Sequence, residues 1–218
     1  MPLLVHKHGP ESDPWRYERQ YWDAGMAHVA GVDEVGRGPL AGPVVAVACV
    51  LSPEFDATGI NDSKLLAQSQ RLTLFPRISQ NARGWAVGII SPDDIDRHNI
   101  LGATFMAMRM ALEQLPIQPD AVLVDGKFLI PDISLPQRAI IEGDRLCVSI
   151  GCASILAKEI RDRIMEDFDS EYPGYGFVRH KGYATAEHLE MLQKLGPTPI
   201  HRRSFAPVRE CRQEHLEL

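Results

Sequence analysis

The sequence predicts an α/β fold: a mixed sheet with helices packed on it, followed by a helical C-terminal part. Three observations carry this. Short apolar runs rich in valine and alanine read as buried strands. Three such runs come first, and later ones alternate with helical periodicity. From Cys152 onward, apolar residues recur at four-residue spacing.

Residues 1–13 form an irregular start. Pro14 to Ala24 reads as a short helix, with Trp15, Tyr17, Tyr21 and Trp22 available to pack. Ala27 to Asp33 is the first strand. Pro43 to Leu51, nearly continuous in valine and alanine, is a second strand buried on both faces, and Ser52-Pro53 ends it. Asn61-Asp62-Ser63-Lys64 is a polar turn before a helix over Ala67 to Gln80, which Pro76 interrupts or shortens. Gly84 to Ile90 is the third strand. Ser91-Pro92-Asp93-Asp94 starts the next helix, with serine as N-cap, proline at the first position and acids in the first turn. Leu101, Phe105, Met108, Leu112 and Leu115 give that helix one apolar face.

Ala121 to Val124 is a short buried strand, with Asp125-Gly126-Lys127 at its end. Arg138 to Ile141 is a fifth strand, followed by Glu142-Gly143-Asp144. Cys152 to Phe168 is a long helix, Tyr172 to Tyr183 a glycine-rich loop, and Thr185 caps a last helix that Gly196-Pro197 terminates.

The chain has 218 residues, 44% hydrophobic and 24% charged, ordinary for a globular protein. No apolar run is long enough to span a membrane, and the N-terminus lacks a signal-peptide core, so the expected place is the cytoplasm. The four cysteines form no CxxC pair and read as buried thiols. A net charge of −6 argues against a generally basic nucleic-acid coat, but a local basic groove is compatible with it.

The most informative stretch is HVAGVDEVGRGPLAGPVVAVACVL, His28 to Leu51. Asp33 and Glu34 end an apolar run, and Asp125 and Asp144 also follow apolar segments beside glycine. If the strands carrying Asp33 and Asp125 are parallel neighbours, their acids meet at one sheet edge, where open α/β sheets bind ligands. Strand alternation makes Asp33 and Glu34 diverge unless Glu34 is already leaving the strand. Two carboxylates about 4 Å apart repel by roughly 4 kcal/mol at an effective dielectric near 20, so such a cluster recruits cations or shifts its pKa values. All-oxygen ligands suit Mg²⁺ or Mn²⁺ rather than zinc. Taken singly, each acid equally suits a turn or a helix cap, Asp144 most of all.

Gly36-Arg37-Gly38 follows the acid pair directly. It is a tight turn, or a place where backbone N–H groups and one arginine hold a sugar-phosphate. Lys64, Lys158, Arg161, Lys181, Arg202 and Arg203 are candidate phosphate partners, Lys158 and Arg161 sharing one helical face; each alone also suits a solvated surface. Tyr183 is either a loop anchor or a stacking surface for a sugar or base.

The ordered series AGVDEVGRGPLAGPVV, NDSKLL, HNILGATFMAM, VLVDGK, EGD, ASILAKEIRDR, YPGYGF, HKGYATAEHLEML and HRRSFAPV resembles ribonuclease HII, the bacterial type 2 ribonuclease H, from about Val29 to Val208. The resemblance implies a ribonuclease H-like five-stranded mixed sheet flanked by helices, with a C-terminal helical extension. It implies Asp33, Glu34, Asp125 and Asp144 as catalytic, metal-binding acids using Mn²⁺ or Mg²⁺. Gly36, Arg37 and Gly38 would sense the ribonucleotide 2′-hydroxyl largely through the backbone, and Tyr183 would stack on the neighbouring sugar. The implied reaction is hydrolysis of the RNA strand of RNA–DNA hybrids, with incision 5′ of ribonucleotides embedded in duplex DNA. The products are a 3′-hydroxyl and a 5′-phosphate. Leu65 stands where the family commonly has a second lysine, Gly151 and Cys152 replace a frequent serine and alanine, and Ala206 replaces a frequent glycine.

The expected organisation is an N-terminal extension over 1–27 and a catalytic domain over 28–218, its helical part starting near 152, acting as a monomer. Two alternatives are a ribonuclease HIII-type enzyme and a non-catalytic hybrid-binding module. The first is disfavoured because about 28 residues before the motif are too few for an independent domain. The second is disfavoured because all four acids are present.

Overall fold

A computed structural model describes residues 13–216. The irregular start expected over 1–13 therefore lies almost wholly outside the described residues, as do the last two residues of the expected catalytic domain. Five strands form one sheet in the order β3-β2-β1-β4-β5: β1 Val29–Val35, β2 Val44–Val50, β3 Gly84–Ile90, β4 Ala121–Asp125 and β5 Gln137–Ile140. β1 pairs antiparallel with β2, and β2 with β3, whereas β1, β4 and β5 run parallel. The sheet is mixed, as expected, and the strands carrying Asp33 and Asp125 are parallel neighbours.

Before β1, the expected N-terminal helix is present as α1 (Arg16–Trp22). The other helices are α2 (Gln68–Asn81), α3 (Pro92–Glu113), α4 (Gly143–Leu146), α5 (Val148–Glu171), α6 (Phe177–His180), α7 (Ala186–Leu195) and α8 (Ala206–Leu216). One face of β1 and β2 (Ala30, Val32, Val44, Ala46, Ala48, Val50) packs with α3 through Ala103, Ala107, Met108 and Ala111. The other (Val45, Val47, Cys49) packs with α2 and with α5 through Cys152, Ala153, Ile155 and Leu156. β2 is buried along its whole length, as its composition requires. Gly31 lets α5 approach: a Cβ there would stand 2.2 Å from the Ser149 carbonyl carbon.

Several elements differ from expectation. Pro76 lies inside an unbroken α2, whose Leu74 and Ile78 are buried against the α5 layer, so tertiary packing overrides the local penalty. Ser91 caps α3 as expected, its Oγ accepting the Asp94 N–H at 3.2 Å. At Asn99 (φ 58°, ψ 167°) α3 kinks, and the Asn99 amide oxygen caps the second half by accepting from Leu101 and Gly102. Leu101 is partly exposed, while Ala103, Ala107, Met108, Ala111 and Leu112 make the helix–sheet contact. α5 starts four residues earlier than its periodicity indicates, the expected glycine-rich loop contains α6, and the tail forms α8.

Candidate active site

β1 continues to Val35, so Glu34 is still in the strand and alternation holds. Asp33 points with Gly31 toward α5. Glu34 points toward α3, where it lines a cavity of about 240 Å³ with Arg37, Leu101, Thr104, Phe105, Met108, Asp125 and Phe128. The divergence expected from strand alternation holds, and Glu34 does not leave the strand early enough to converge with Asp33. The two acids share the sheet edge while facing opposite layers.

Asp33 is 3% exposed. Its Oδ1 accepts the Glu34 N–H at 2.7 Å, and Ser154 of α5 hydrogen-bonds its side chain. Burial, then the charges of Glu34, Asp125 and Asp144, hold the Asp33 carboxyl well above the usual range. Burial also raises Glu34; Arg37, whose Nη1 lies 3.2 Å from Glu34 Oε1, opposes this. Asp125 closes β4, and its Oδ1 accepts the Gly143 N–H at 2.8 Å, tying the end of β4 to the start of α4.

Asp144 is not in an ordinary polar turn. It sits in α4, buried, and burial followed by the charges of Asp125 and Asp62 raises it to about 6. Lys64 Nζ lies 3.8 Å from Asp144 Oδ2 and pulls the other way. Burial works against the Lys64 charge, but Asp33, Asp144, Asp62 and Asp125 together hold its ammonium above its ordinary pKa.

The four acids thus form one electrostatic group at the carboxyl edge of β1 and β4. Among the described residues, no three His, Cys, Asp or Glu side chains already converge on one point. Asp33, Glu34 and Asp125 are each held by their own neighbour, as described above. The donor set is nonetheless that of a hard divalent cation: carboxylate oxygens only, mutually repelling and partly desolvated.

Gly36 (φ 94°) leaves β1 in a conformation that glycine permits, and a Cβ there would stand 2.3 Å from Arg161 Nε. Arg37 and Gly38 are exposed. Tyr183, 44% exposed, lies against Gly38: a Cβ on Gly38 would be 3.6 Å from Tyr183 Cε1. The turn and the tyrosine therefore share one open surface beside the acids.

The basic candidates divide. Lys64 is at the acids. Lys158 Nζ pairs with Asp162 at 2.6 Å, and Lys181 Nζ with Glu166 at 2.7 Å, both part-buried along α5. Arg161 and Arg202 are corrections to the expectation of surface phosphate partners. Both are fully buried, and their guanidinium groups donate to backbone carbonyls. Arg203 is exposed, its N–H donating to Asp96 at 2.8 Å. Sequence reasoning missed Asp62, Ser63 and Ser154. Asp62 hydrogen-bonds Asp144, and Ser63 Oγ meets Ser154 Oγ at 2.8 Å. The adjacent polar residues of the NDSK turn were the available signal.

A family model described as Ribonuclease HII matches residues 30–208. The chain belongs to the ribonuclease HII family. A Ribonuclease HII of Desulfitobacterium hafniense (strain Y51) is 52% identical over 195 residues, covering 89% of this chain and 75% of the relative. The ribonuclease H2 of Pyrococcus horikoshii OT3 superposes with a TM-score of 0.75 at 27% identity, covering 88% of this chain and all of that one. Bst-RNase HIII in complex with Mn²⁺ shares the fold, with a TM-score of 0.66 at 19% identity over all of this chain and 77% of that one. As a ribonuclease HII family member, the chain is a divalent-metal-dependent ribonuclease H endonuclease acting on RNA–DNA hybrids. The 52%-identical ribonuclease HII relative favours this assignment over the ribonuclease HIII reading. Among the described residues no helix is long and apolar enough to cross a membrane.

Proposed function

We propose that the enzyme incises duplex DNA on the 5′ side of an embedded ribonucleotide, as well as cutting the RNA strand of hybrids, leaving a 3′-hydroxyl and a 5′-phosphate. The observation that carries this reading is the placement of the exposed Arg37 and Gly38, which follow the buried Gly36, and of Tyr183 on one surface beside the acids. One ribose fits there, read by amides and stacked on a ring.

Asp33, Glu34, Asp125 and Asp144 are the residues that would hold two divalent ions, Mn²⁺ or Mg²⁺. Bound there, such ions supply an activated water and stabilisation of the leaving oxygen. The chain's own residues do the rest. Asp33 and Glu34 would offer their carboxylate oxygens from opposite faces of β1. Lys64 balances the acids and is placed to meet a phosphate. Lys158 and Lys181 are engaged by Asp162 and Glu166 and would meet phosphates only by exchanging those acids for them. The ring of Tyr183 stacks on the sugar beside the junction.

The same reading takes residues 28–218 as the catalytic domain with its helical part from about 152, and 1–27 as an extension. α1 supports this by packing Tyr17, Tyr21 and Trp22 against Val29 and Ile150 rather than forming a core of its own. We place the enzyme in the cytoplasm as a monomer; buried free thiols at Cys49, Cys147 and Cys152 suit a reducing compartment.

End-mapping on a duplex with one ribonucleotide tests the proposal. One nick immediately 5′ of the ribonucleotide, with a ligatable 3′-hydroxyl on the upstream fragment, is expected. Nicking on the 3′ side, or cleavage only of continuous RNA, contradicts it.

A further inference from the structure

Arg202 is fully buried and, among the described residues, forms no ion pair. Arg161, equally buried and equally unpaired, adds a like charge nearby. Buried cations without a carboxylate are rare because desolvation disfavours them. Here the compensation is backbone. Arg202 Nε donates to Gly42 O at 3.0 Å, and Nη2 to Gly42 O at 2.8 Å and Pro43 O at 3.3 Å. The other contacts reach the turn: Nη1 donates to Arg37 O at 3.0 Å, and Nη2 to Gly36 O. Phe205 lies under the guanidinium, 5.1 Å from ring centroid to Cζ. The Arg202 N–H donates to Leu40 O at 2.8 Å, fixing the arginine's own backbone to the same loop.

The consequence is geometric. A trans peptide is planar, and its C=O and N–H point in opposite directions. Gly36 O belongs to the same plane as the Arg37 N–H, and Arg37 O to the same plane as the Gly38 N–H. One guanidinium fork holds both carbonyls on its own side, so both amides face away from it. Neither amide donates to another group among the described residues, and both residues are exposed beside Tyr183.

We propose that Arg202 is a positioning residue for ribose recognition: its buried fork sets two successive peptide planes so that the Arg37 and Gly38 N–H groups face the sugar. The proposal rests on the reading of this turn as the ribose sensor. It explains why the residue is arginine. Lysine presents one compact ammonium and lacks the planar fork that spans two carbonyls at once.

The test is binding in EDTA, where the enzyme is metal-free. Affinities are measured for a duplex with one ribonucleotide and for the all-deoxy duplex of the same sequence, with wild type and Arg202→Lys. Wild type prefers the ribonucleotide duplex. In Arg202→Lys that preference falls at least fivefold, while affinity for the all-deoxy duplex stays within twofold and the circular dichroism spectrum is unchanged. A folded Arg202→Lys that keeps the preference within twofold overturns the proposal. So does an equal loss of both affinities, which marks a general scaffold role. A wild type with no preference instead overturns the ribose-sensing reading beneath it. If Arg202→Lys does not fold, Phe205→Leu carries the test, since it removes the ring under the guanidinium and leaves the arginine in place. A two- to threefold drop in the same preference is then expected, and an unchanged preference overturns the proposal.

Discussion

His188 Nε2 and His201 Nε2 face each other at 3.0 Å, and one proton between them fixes both tautomers. His201 Nδ1 accepts the Thr198 N–H at 3.0 Å, so its Nε2 carries the proton and donates to His188. His188 Nδ1–H then donates to Tyr183 O at 2.9 Å. The chain of bonds ends on the backbone of the residue proposed to stack on the sugar, and it requires both rings to be neutral.

That neutrality predicts acid sensitivity. Burial, then the His188 charge, lowers His201 to about 3, and burial also lowers His188. The unfolded chain binds these protons near pH 6.5, whereas the native state does not. Stability is therefore full above pH 6.5 and is lost as pH falls toward 3. His201 alone accounts for about 2 kcal/mol at pH 5. Urea unfolding at pH 7 and pH 5 should show His201→Gln losing less stability over this interval than wild type. An equal loss in both proteins rejects the relay as the cause.

Glu18 of α1 provides a remote cap for α5. Its Oε1 accepts the Ser149 N–H at 2.8 Å, the Ser149 hydroxyl at 2.9 Å and the Cys147 thiol at 3.0 Å. Its Oε2 is buried and has no hydrogen-bond partner among the described residues. Glu18→Ala should cost about 1–2 kcal/mol, in the range of lost helix caps. Glu18→Gln, which keeps the accepting oxygen, should cost less. Chemical denaturation of both variants measures the difference.

Lys64 lowers the Asp144 carboxyl against burial and its acidic neighbours. Replacing Lys64 with alanine should move the Asp144 midpoint above about 6 in the metal-free protein, and Lys64→Arg should restore it. Carboxyl-carbon NMR titration reads this directly. A midpoint that does not move in Lys64→Ala shows that the 3.8 Å approach carries no electrostatic weight.

The first four strands were legible because they are dense in Val and Ala and bounded by Ser-Pro, Gly and Pro. The acids at strand ends were legible for the same reason: a carboxylate after a buried run is costly enough to need a partner. The roles of Arg161 and Arg202 were not. An arginine in a basic tail reads as a surface cation, and only the folded loop brings together the carbonyls that let it be buried. The Asn99 kink was hidden because an asparagine cap inside a helical pattern leaves the apolar periodicity on both sides intact. Asp62 looked like a turn residue, and its side chain does accept the Lys64 N–H at 2.8 Å. Its second role toward Asp144 depends on a loop folding back over α4.

We propose that the acids at the β1–β4 edge carry out metal-dependent cleavage. The most direct test compares wild type with Asp33→Asn and Asp125→Asn on a duplex containing one ribonucleotide, in Mn²⁺ and in EDTA, with binding measured in parallel. Wild type should nick in Mn²⁺ and not in EDTA. Both variants should lose more than about 100-fold in rate, beyond the 10–100-fold typical of outer-shell changes, while still binding the duplex. Full activity in either variant, or wild-type nicking that persists in EDTA, would contradict the account.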